Sequence, residues 1–210
     1  MKKRLAALIC CMLLVLQMAA PSARAAETVY FVVAGVDVQP VSDQTMPFWS
    51  GGYLYIPSSL FTGNTRKALG VSCVGSSQTV ILYSDGGARS LIFDLSKSYT
   101  QDREGNISYP GALRRGGVVF VPAYLVARYF NLLYSVLDVE NGYLVWIRQP
   151  SFNMTDKQFA NAAEYPCAIS YAEYIKKKKT SSGTSAVEDP TGTEIDGKSV
   201  YLCLEAGDGT

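Results

Sequence analysis

The chain has 210 residues, 19 basic and 18 acidic side chains, a formal net charge of +1 and no histidine. The missing imidazole excludes Ser-His-Asp and Cys-His catalysis, together with every metal site that is built on histidine. The near-neutral charge argues against nucleic acid as a partner, because no basic stripe is available to neutralise phosphates. A carboxylate site or a lysine nucleophile is still allowed by composition, but no clustering along the sequence indicates either.

Residues 1–25 have the three parts of an export signal. Lys2, Lys3 and Arg4 form a positive start, Leu5–Leu16 is an uncharged apolar run, and Ala23-Arg24-Ala25 places small residues where a signal peptidase reads. A membrane-spanning helix needs about 20 apolar residues, and this run is shorter. We therefore expect a signal peptide that is cleaved near Ala26, a secreted or cell-wall-associated product, and a membrane that is a partner only during export.

The cysteines that lie beyond the predicted signal peptide do not indicate a disulfide framework. Three cysteines remain beyond the signal, Cys73, Cys167 and Cys203, and an odd, widely spaced set predicts no disulfide pattern. No CxxC pair is present, so a structural zinc site is not indicated. The basic run Lys176–Lys179 is typical of a solvated helix end. We expect no metal and no cofactor.

The first predicted elements are two short strands. Residues 28–33 are β-branched or aromatic, Ala34-Gly35 suits a turn, and Val36-Asp37-Val38 alternates.

An internal repeat follows, and it is the most informative pattern in the chain. Residues 51–60 read Gly-Gly, four strand-forming residues, then Pro57, and residues 116–125 read the same way up to Pro122. Proline cannot continue a strand ladder but suits the first turn of a helix. Each copy is therefore predicted to be a strand followed by a helix, with the helices at 58–69 and 123–130.

Each predicted helix has a stop signal and is followed by two strands. Gly70 and Asn131 both suit a left-handed C-cap, and the later strands are predicted at 79–83 and 143–147. Asn141-Gly142 is a hairpin-turn signal. Residues 90–95 predict one further strand. We therefore predict an α+β domain at 28–150, in which two strand–helix–strand–strand repeats share one core.

The pattern changes after residue 150. Thr155 and Gln158 form a capping box, and residues 155–179 predict two helical pieces separated by Pro166. Residues 180–198 have the Ser/Thr/Gly/Pro-rich composition of a flexible linker. Residues 199–204 return to strand character, and an unpaired apolar strand would leave an open edge. We favour the start of a truncated second domain at 199–210 over a strand that pairs back onto the first domain.

The repeated Gly-Gly-strand-Pro-helix unit resembles the copper amine oxidase N-terminal-like domain, over about residues 28–148. The likeness is carried by residues 51–60, 116–125 and 142–147. This family occurs in secreted and wall-associated proteins of Gram-positive bacteria. The resemblance implies a small α+β module that binds no copper, and it carries over no catalytic residue.

Residues 200–209 are similar to the opening strand of the polysaccharide deacetylase family, which reads Tyr-Leu-Thr-Phe-Asp-Asp-Gly-Pro. The two family aspartates, a base and a metal ligand, fall on Glu205 and Ala206 here, and Asp208 falls on the proline. Alanine cannot ligate a metal, and the family's histidine pair is absent. The resemblance implies a lineage and does not imply activity of these 210 residues.

Aromatic residues are the candidates for ligand contact. The candidate contact residues are Trp49, Tyr53 and Tyr124. Their rings would stack on the sugar faces of a cell-wall glycan or would pack against an envelope protein. Tyr55 and Trp146 are expected to fill the core instead.

Two functions fit the sequence. The first is a secreted, non-catalytic cell-envelope module that binds or positions something at the cell wall. The alternative is the N-terminal part of a polysaccharide or peptidoglycan deacetylase-like hydrolase, whose catalytic domain would lie beyond Thr210. Asp138 and Glu140 are a carboxylate pair by spacing, but we interpret them as solvated turn residues.

Overall fold

A computed structural model describes residues 29–76 and 78–187, with side chains up to residue 181. The predicted signal peptide at 1–25, the linker residues 188–198 and the predicted strand at 199–210, with Glu205, Ala206 and Asp208, lie outside the described residues. The strands are β1 Val29–Ala34, β2 Asp37–Val38, β3 Phe48–Ser50, β4 Tyr53–Pro57, β5 Val71–Gly75, β6 Thr79–Ser84, β7 Ser90–Asp94, β8 Thr100–Asp102, β9 Ile107–Ser108, β10 Leu113–Arg115, β11 Val118–Pro122, β12 Leu133–Val139 and β13 Gly142–Arg148. The helices are α1 Gly63–Leu69, α2 Ala123–Phe130 and α3 Asp156–Val187. The predicted α+β class is confirmed.

The central sheet, ordered β10-β11-β4-β3, is built from both repeats. β4 and β11 are antiparallel, and Ile56 lies opposite Val121 with matching pairs on either side. The two outer hairpins, β3–β4 and β10–β11, have the same register. Their Gly-Gly turns have φ angles of 56° and 82° in the first copy and 56° and 81° in the second. The repeats are therefore related by a pseudo-twofold axis at the Ile56–Val121 pair, and each includes one more strand than the sequence predicted.

Each strand of the central pair ends at a proline and continues into helical structure, as predicted. In the second repeat, α2 has the predicted bounds. In the first, the predicted single helix at 58–69 is divided into a 3₁₀ turn, Ser58–Phe61, and α1. The division falls at Thr62, whose backbone is extended and whose hydroxyl donates to the Ser59 carbonyl at 2.6 Å.

The predicted helix stops are confirmed at both positions. Gly70 (φ 66°, ψ 22°) and Asn131 (φ 56°, ψ 41°) are left-handed C-caps. Their amides donate to the carbonyls of Arg66 and Ala127. Glycine meets no steric penalty in this region and asparagine tolerates it better than most residues. Each helix therefore ends where the sequence predicted.

The hairpin after each helix starts a further sheet. In the first repeat, β5–β6 is extended by β7, β8 and β9 in an antiparallel sheet. In the second, β12–β13 is extended by β1 and β2, and β1 runs parallel to β13. The β12–β13 turn is formed by Glu140 and Asn141, since Val139 pairs with Gly142, so the predicted Asn141-Gly142 turn was placed one residue late.

The parallel pair β1–β13 is buried on both faces. Val29, Phe31 and Val33 of β1 face a cluster under α3, whereas Val32 and Ala34 face the main core. Burial on both faces explains why β1 is apolar without alternation. A Cβ on Gly142 would overlap the carbonyl oxygen of Val29, so glycine is required where β1 begins.

The main core lies between the central sheet, the helices and the two flanking sheets. Both repeats supply it, with buried residues including Leu54, Ile56, Leu60, Leu69, Val80 and Leu82 from the first and Val121, Val126, Ala127, Phe130, Val145 and Ile147 from the second. A core shared by the two repeats was predicted and is observed.

The C-terminal helix differs from the prediction in two respects. α3 is one continuous helix and includes Pro166, which is exposed, instead of two pieces separated there. It also continues to Val187, so residues 180–187 of the predicted linker are helical. Its start was predicted correctly, because the Thr155 amide donates to the Gln158 side chain at 3.0 Å and the Gln158 amide donates back at 3.3 Å. Phe159, Ala163, Cys167 and Tyr174 pack against the sheet.

Candidate functional site

Two exposed aromatic side chains lie at the end of the central sheet where the Gly51-Gly52 turn is found. Trp49, on edge strand β3, is 52% exposed, and Tyr124, in the first turn of α2, is also 52% exposed. Trp49 pairs in register with Leu54, whose side chain is in the main core, so Trp49 lies on the helix-bearing face. β11 is antiparallel to β4 and therefore ends at the Gly51-Gly52 end of the sheet, where α2 begins and where Tyr124 is found. The two aromatics therefore share one face and one end of the sheet.

Tyr53, the third predicted contact residue, lies on the opposite face. It is 38% exposed and pairs with Ser50 beside the Gly51-Gly52 turn. Successive side chains on a strand alternate between faces, which places Tyr53 with Tyr55 and away from Leu54. The fold therefore brings Trp49 and Tyr124 to one face and separates Tyr53 from them.

The pseudo-twofold axis supplies a comparison for these two positions. Arg114 of β10 is the counterpart of Trp49, and Ser59 is the counterpart of Tyr124. Both counterparts are exposed. An arginine and a serine thus occupy the same structural positions in the same hairpin and the same helix start. The same backbone therefore forms without an aromatic residue at either position.

The residues expected in the core are buried. Trp146 is 0% exposed, stacks on Phe159 with ring centroids 3.8 Å apart, and donates from Nε1 to the Gly35 carbonyl at 2.8 Å. Tyr55 is 3% exposed and its hydroxyl donates to the Gly111 carbonyl at 3.2 Å. Burial, and to a smaller extent Tyr53, raises the pKa of Tyr55. Neither ring is available to a ligand.

The outer face of the central sheet carries an aromatic cluster that the sequence analysis missed. Phe48 stacks on Tyr55 at 5.5 Å and meets Phe120 edge-on at 5.0 Å. The Arg115 guanidinium lies over both phenylalanine rings, 4.2 Å and 4.8 Å from their centroids, and donates to the Met46 carbonyl. The alternation of aromatic residues along β4 is a signal from which this cluster was predictable. Its rings are packed under arginine, so we assign it to structure.

A cleft of about 640 Å³ adjoins the exposed face of α2. It lies between this helix and the β6–β7 and β8–β9 turns. Its lining includes Arg89, Glu104, Ser108, Leu125, Arg128 and Tyr129. Arg128 is four residues after Tyr124 on α2, a spacing that places two side chains on the same helix face. Tyr124 does not line the cleft, but it lies on the same exposed face of α2 as Arg128, which does.

Two cleft residues are held in place by contacts of their own. Arg89 Nη1 donates to the Tyr129 carbonyl at 2.9 Å, at the C-terminal turn of α2. Burial is the main cause that raises the pKa of Tyr129. The negative charges of Asp102 and Glu104 raise this pKa slightly further, whereas the Ser90 backbone and Arg89 lower it. The Tyr129 hydroxyl therefore stays protonated at neutral pH.

A second cleft, of about 310 Å³, lies at the other end of the molecule's main core. Its lining includes residues of segment 39–47, together with Ser59, Leu60 and the α3 residue Lys177. Leu60 is the counterpart of Leu125, so one pair of pseudo-equivalent residues contributes to the two clefts. The difference is that segment 39–47 and α3 cover the region around Ser59, whereas nothing described covers the region around Tyr124 in this way.

The described residues contain no group of three or more His, Cys, Asp or Glu side chains that could hold a metal ion. Asp138 and Glu140 are both exposed, as predicted, but only Glu140 is a turn residue, because Asp138 lies in β12 and pairs with Tyr143. Cys73 and Cys167 are free, and burial raises the pKa of the Cys167 thiol to about 11. No helix within the described ranges is both long and apolar enough to cross a membrane.

No family model matches this chain, and no curated protein or solved structure was found to be similar to it. The resemblances to the copper amine oxidase N-terminal-like domain and to the polysaccharide deacetylase family therefore remain predictions from the sequence.

Proposed function

We propose that this chain acts outside the cytoplasm as a non-catalytic module of the cell envelope, which binds cell-wall glycan through Trp49 and Tyr124. The observation that carries the proposal is the pair of half-exposed aromatic rings on one face and at one end of the central sheet. Flat aromatic faces stack on the apolar faces of sugar rings, and exposed aromatic side chains commonly mark binding surfaces.

The pseudo-symmetry supports a functional interpretation of these rings. Arg114 and Ser59 occupy the counterpart positions, so the same backbone is formed without aromatic residues there. Large apolar surface exposed to water has a free-energy cost that a ligand relieves on binding. A binding role accounts for two aromatic residues that the fold itself does not need.

Export is the second support. Residues 1–25 have the charge, apolar run and cleavage pattern of a signal peptide, and the double repeat resembles a module of secreted and wall-associated proteins. A chain that is exported in a Gram-positive bacterium meets wall glycan directly. The absence of histidine from the whole sequence also suits a module that binds without catalysing a reaction.

The docking of α3 suits a positioning role. The Asp156 carboxylate forms an ion pair with Arg148 at 2.9 Å at the start of the helix. About four turns further along, Ser170 accepts a hydrogen bond from the Val41 amide at 3.2 Å, and one turn later Tyr174 donates to Asp43 at 2.5 Å. Contacts distributed along the helix fix its direction relative to the sheet. A domain that follows the predicted linker at 188–198 would therefore be tethered to a fixed point on the module.

Binding to purified, insoluble peptidoglycan tests the proposal. The purified chain is mixed with peptidoglycan, and the fraction that remains in the supernatant is measured after centrifugation. We expect the chain to be depleted from the supernatant. Joint substitution of Trp49→Ala and Tyr124→Ser is expected to weaken binding at least about tenfold, which corresponds to about 1.4 kcal/mol.

The counterpart positions supply a matched control. Arg114→Ala with Ser59→Ala changes two exposed residues at equivalent places in the fold, and we expect it to leave binding within about twofold of the unmodified chain. A chain that stays wholly in the supernatant contradicts the proposal. Equal weakening by the two double variants also contradicts it, because the aromatic end would then have no special role.

We propose as the second candidate that the chain is the N-terminal part of a deacetylase-like hydrolase. It is favoured by the similarity of residues 200–209 to the opening strand of that family, although Glu205 and Ala206 replace its two aspartates. Reading the gene beyond codon 210 tests it. A stop codon directly after Thr210 contradicts this candidate, and a continuing frame with metal-ligand histidines supports it.

A further inference from the structure

The cleft beside α2 presents more positive than negative charge. Arg89 and Arg128 contribute two positive charges to its lining, and Glu104 contributes one negative charge. Two further charged residues stand nearby, Asp102 at the end of β8 and Arg103 in the turn that follows it. Asp102 accepts hydrogen bonds from the Asn106 amide and side chain, each at 2.8 Å, and Arg103 donates to the Gly87 carbonyl at 3.4 Å. The Asp102 carboxylate is therefore engaged within its own turn.

Arg128 is the cleft residue with free donors. It is exposed, and within the part of the chain that the structure describes it has no hydrogen bond or ion pair. Arg89 uses one guanidinium nitrogen on the Tyr129 carbonyl, which leaves its other N–H groups available. Tyr129 and Ser108 also contribute to the lining, and their side chains carry neutral hydroxyl groups, of which that of Tyr129 already interacts with the Ser90 backbone. Guanidinium groups bind carboxylates and phosphates through paired hydrogen bonds, for which this donor set is suited.

We propose that this cleft binds an acidic group, a carboxylate or a phosphate, on the glycan that Trp49 and Tyr124 hold. The inference rests on the proposed function, because it places the acidic group on the same ligand. Tyr124 and Arg128 are one helical turn apart on α2, so a sugar stacked on Tyr124 brings its neighbouring substituents to the arginine. The aromatic residues bind the sugar faces, and Arg128, with Arg89 behind it, selects for polymers that carry negative charge.

The test uses glycan strands prepared from peptidoglycan by removal of the peptides, with their carboxylates either intact or converted to methylamides. Poly(glycerol phosphate), which has no sugar ring to stack on Trp49 or Tyr124, is the phosphate probe for the cleft alone. Dissociation constants are measured for the unmodified chain, for Arg128→Gln, and for Arg114→Gln. Arg114 is an exposed arginine at the other end of the central sheet, so its substitution removes the same charge away from the cleft.

We expect Arg128→Gln to weaken binding of an acidic probe about tenfold, as the loss of a charge-assisted hydrogen bond predicts. Methylamidation is expected to weaken binding of the unmodified chain by a similar factor and to have little further effect on Arg128→Gln. Arg114→Gln is expected to change binding by less than twofold. A tenfold loss only with the intact strands identifies a carboxylate, and a loss only with poly(glycerol phosphate) identifies a phosphate.

Three results overturn the inference. If methylamidated strands bind as tightly as intact ones and Arg128→Gln binds both acidic probes normally, the cleft has no acidic ligand, although glycan binding by Trp49 and Tyr124 stands. If Arg114→Gln weakens binding as much as Arg128→Gln, the attraction is general and not a property of the cleft. If no probe binds at all, this inference and the proposed function both fail.

Discussion

The two repeats of this chain share their turns, prolines and helix caps, but they differ in what surrounds them. Both have Gly-Gly turns with nearly identical φ angles and both helices end in a left-handed residue. Among the residues that the structure describes, only the second repeat receives a parallel strand, β1, and a covering helix, α3. Only one end of the central sheet presents exposed aromatic rings. The shared turns and caps are features that the fold requires. The differences reflect either the elements that cover one repeat or a function of the exposed aromatic residues.

The largest expected effect concerns the residue that the covering helix protects. Trp146 lies between two main-core residues of β13, and its own side chain faces α3. Ile81 has the matching place in β6 of the first repeat, between two main-core residues, but it is only half-buried. Trp146→Ala is expected to lower the free energy of unfolding by about 3–5 kcal/mol, because a large buried ring leaves a cavity. Ile81→Ala is expected to cost about 1–2 kcal/mol, because less surface is buried there.

Urea unfolding followed by circular dichroism measures both values. Similar losses for the two variants would contradict the idea that α3 makes the outer face of the second repeat a true core.

The next effect concerns the parallel strand that only the second repeat receives. Gly142→Ala places a Cβ against the carbonyl oxygen of Val29, and Gly142 also has a φ of 147°. We expect a loss of about 3 kcal/mol, since β1 must move to relieve the overlap. Gly52→Ala is the control, because its φ is 82° but a Cβ there meets nothing within 4 Å.

The control is expected to lose about 1–2 kcal/mol, from backbone strain alone. Thermal unfolding compares the variants, and a loss for Gly142→Ala no greater than that for Gly52→Ala would contradict the close approach of β1.

The smallest effect concerns the helix caps, where the two repeats use different residues for one conformation. Asn131→Ala is expected to cost about 1 kcal/mol, because alanine disfavours the left-handed region more than asparagine does. Asn131→Gly, which copies the Gly70 cap of the first repeat, is expected to change stability by less than about 0.5 kcal/mol. An alanine variant as stable as the glycine variant would show that the cap conformation is not maintained in solution.

Local sequence signals predicted the repeated framework well. Pro57 and Pro122 mark strand ends, and Gly70 and Asn131 mark helix ends, because each constrains its own φ angle or hydrogen bonding. The same kind of signal was misleading at Pro166. Proline lacks an amide, but Pro166 lies on the exposed face of the continuous helix α3, between Ala163 and Cys167, which pack on the sheet, and tertiary contacts of this kind can override a local propensity.

Long-range features were not predictable from local patterns. The parallel pairing of β1 with β13 joins opposite ends of the domain, and no turn residue between them specifies it. The candidate site was predicted in part. Exposed aromatics were identified by type, but the separation of Tyr53 from Trp49 depends on strand register, and the contribution of Arg128 depends on tertiary placement of α2 beside the β6–β7 turn.

The central claim is that the aromatic end of the sheet binds wall glycan and the counterpart end does not. The most direct measurement is the dissociation constant for peptidoglycan of three chains: the unmodified chain, Trp49→Ala with Tyr124→Ser, and Arg114→Ala with Ser59→Ala. We predict at least about tenfold weaker binding for the aromatic variant and a change within about twofold for the counterpart variant. Equal dissociation constants for all three chains would contradict the account.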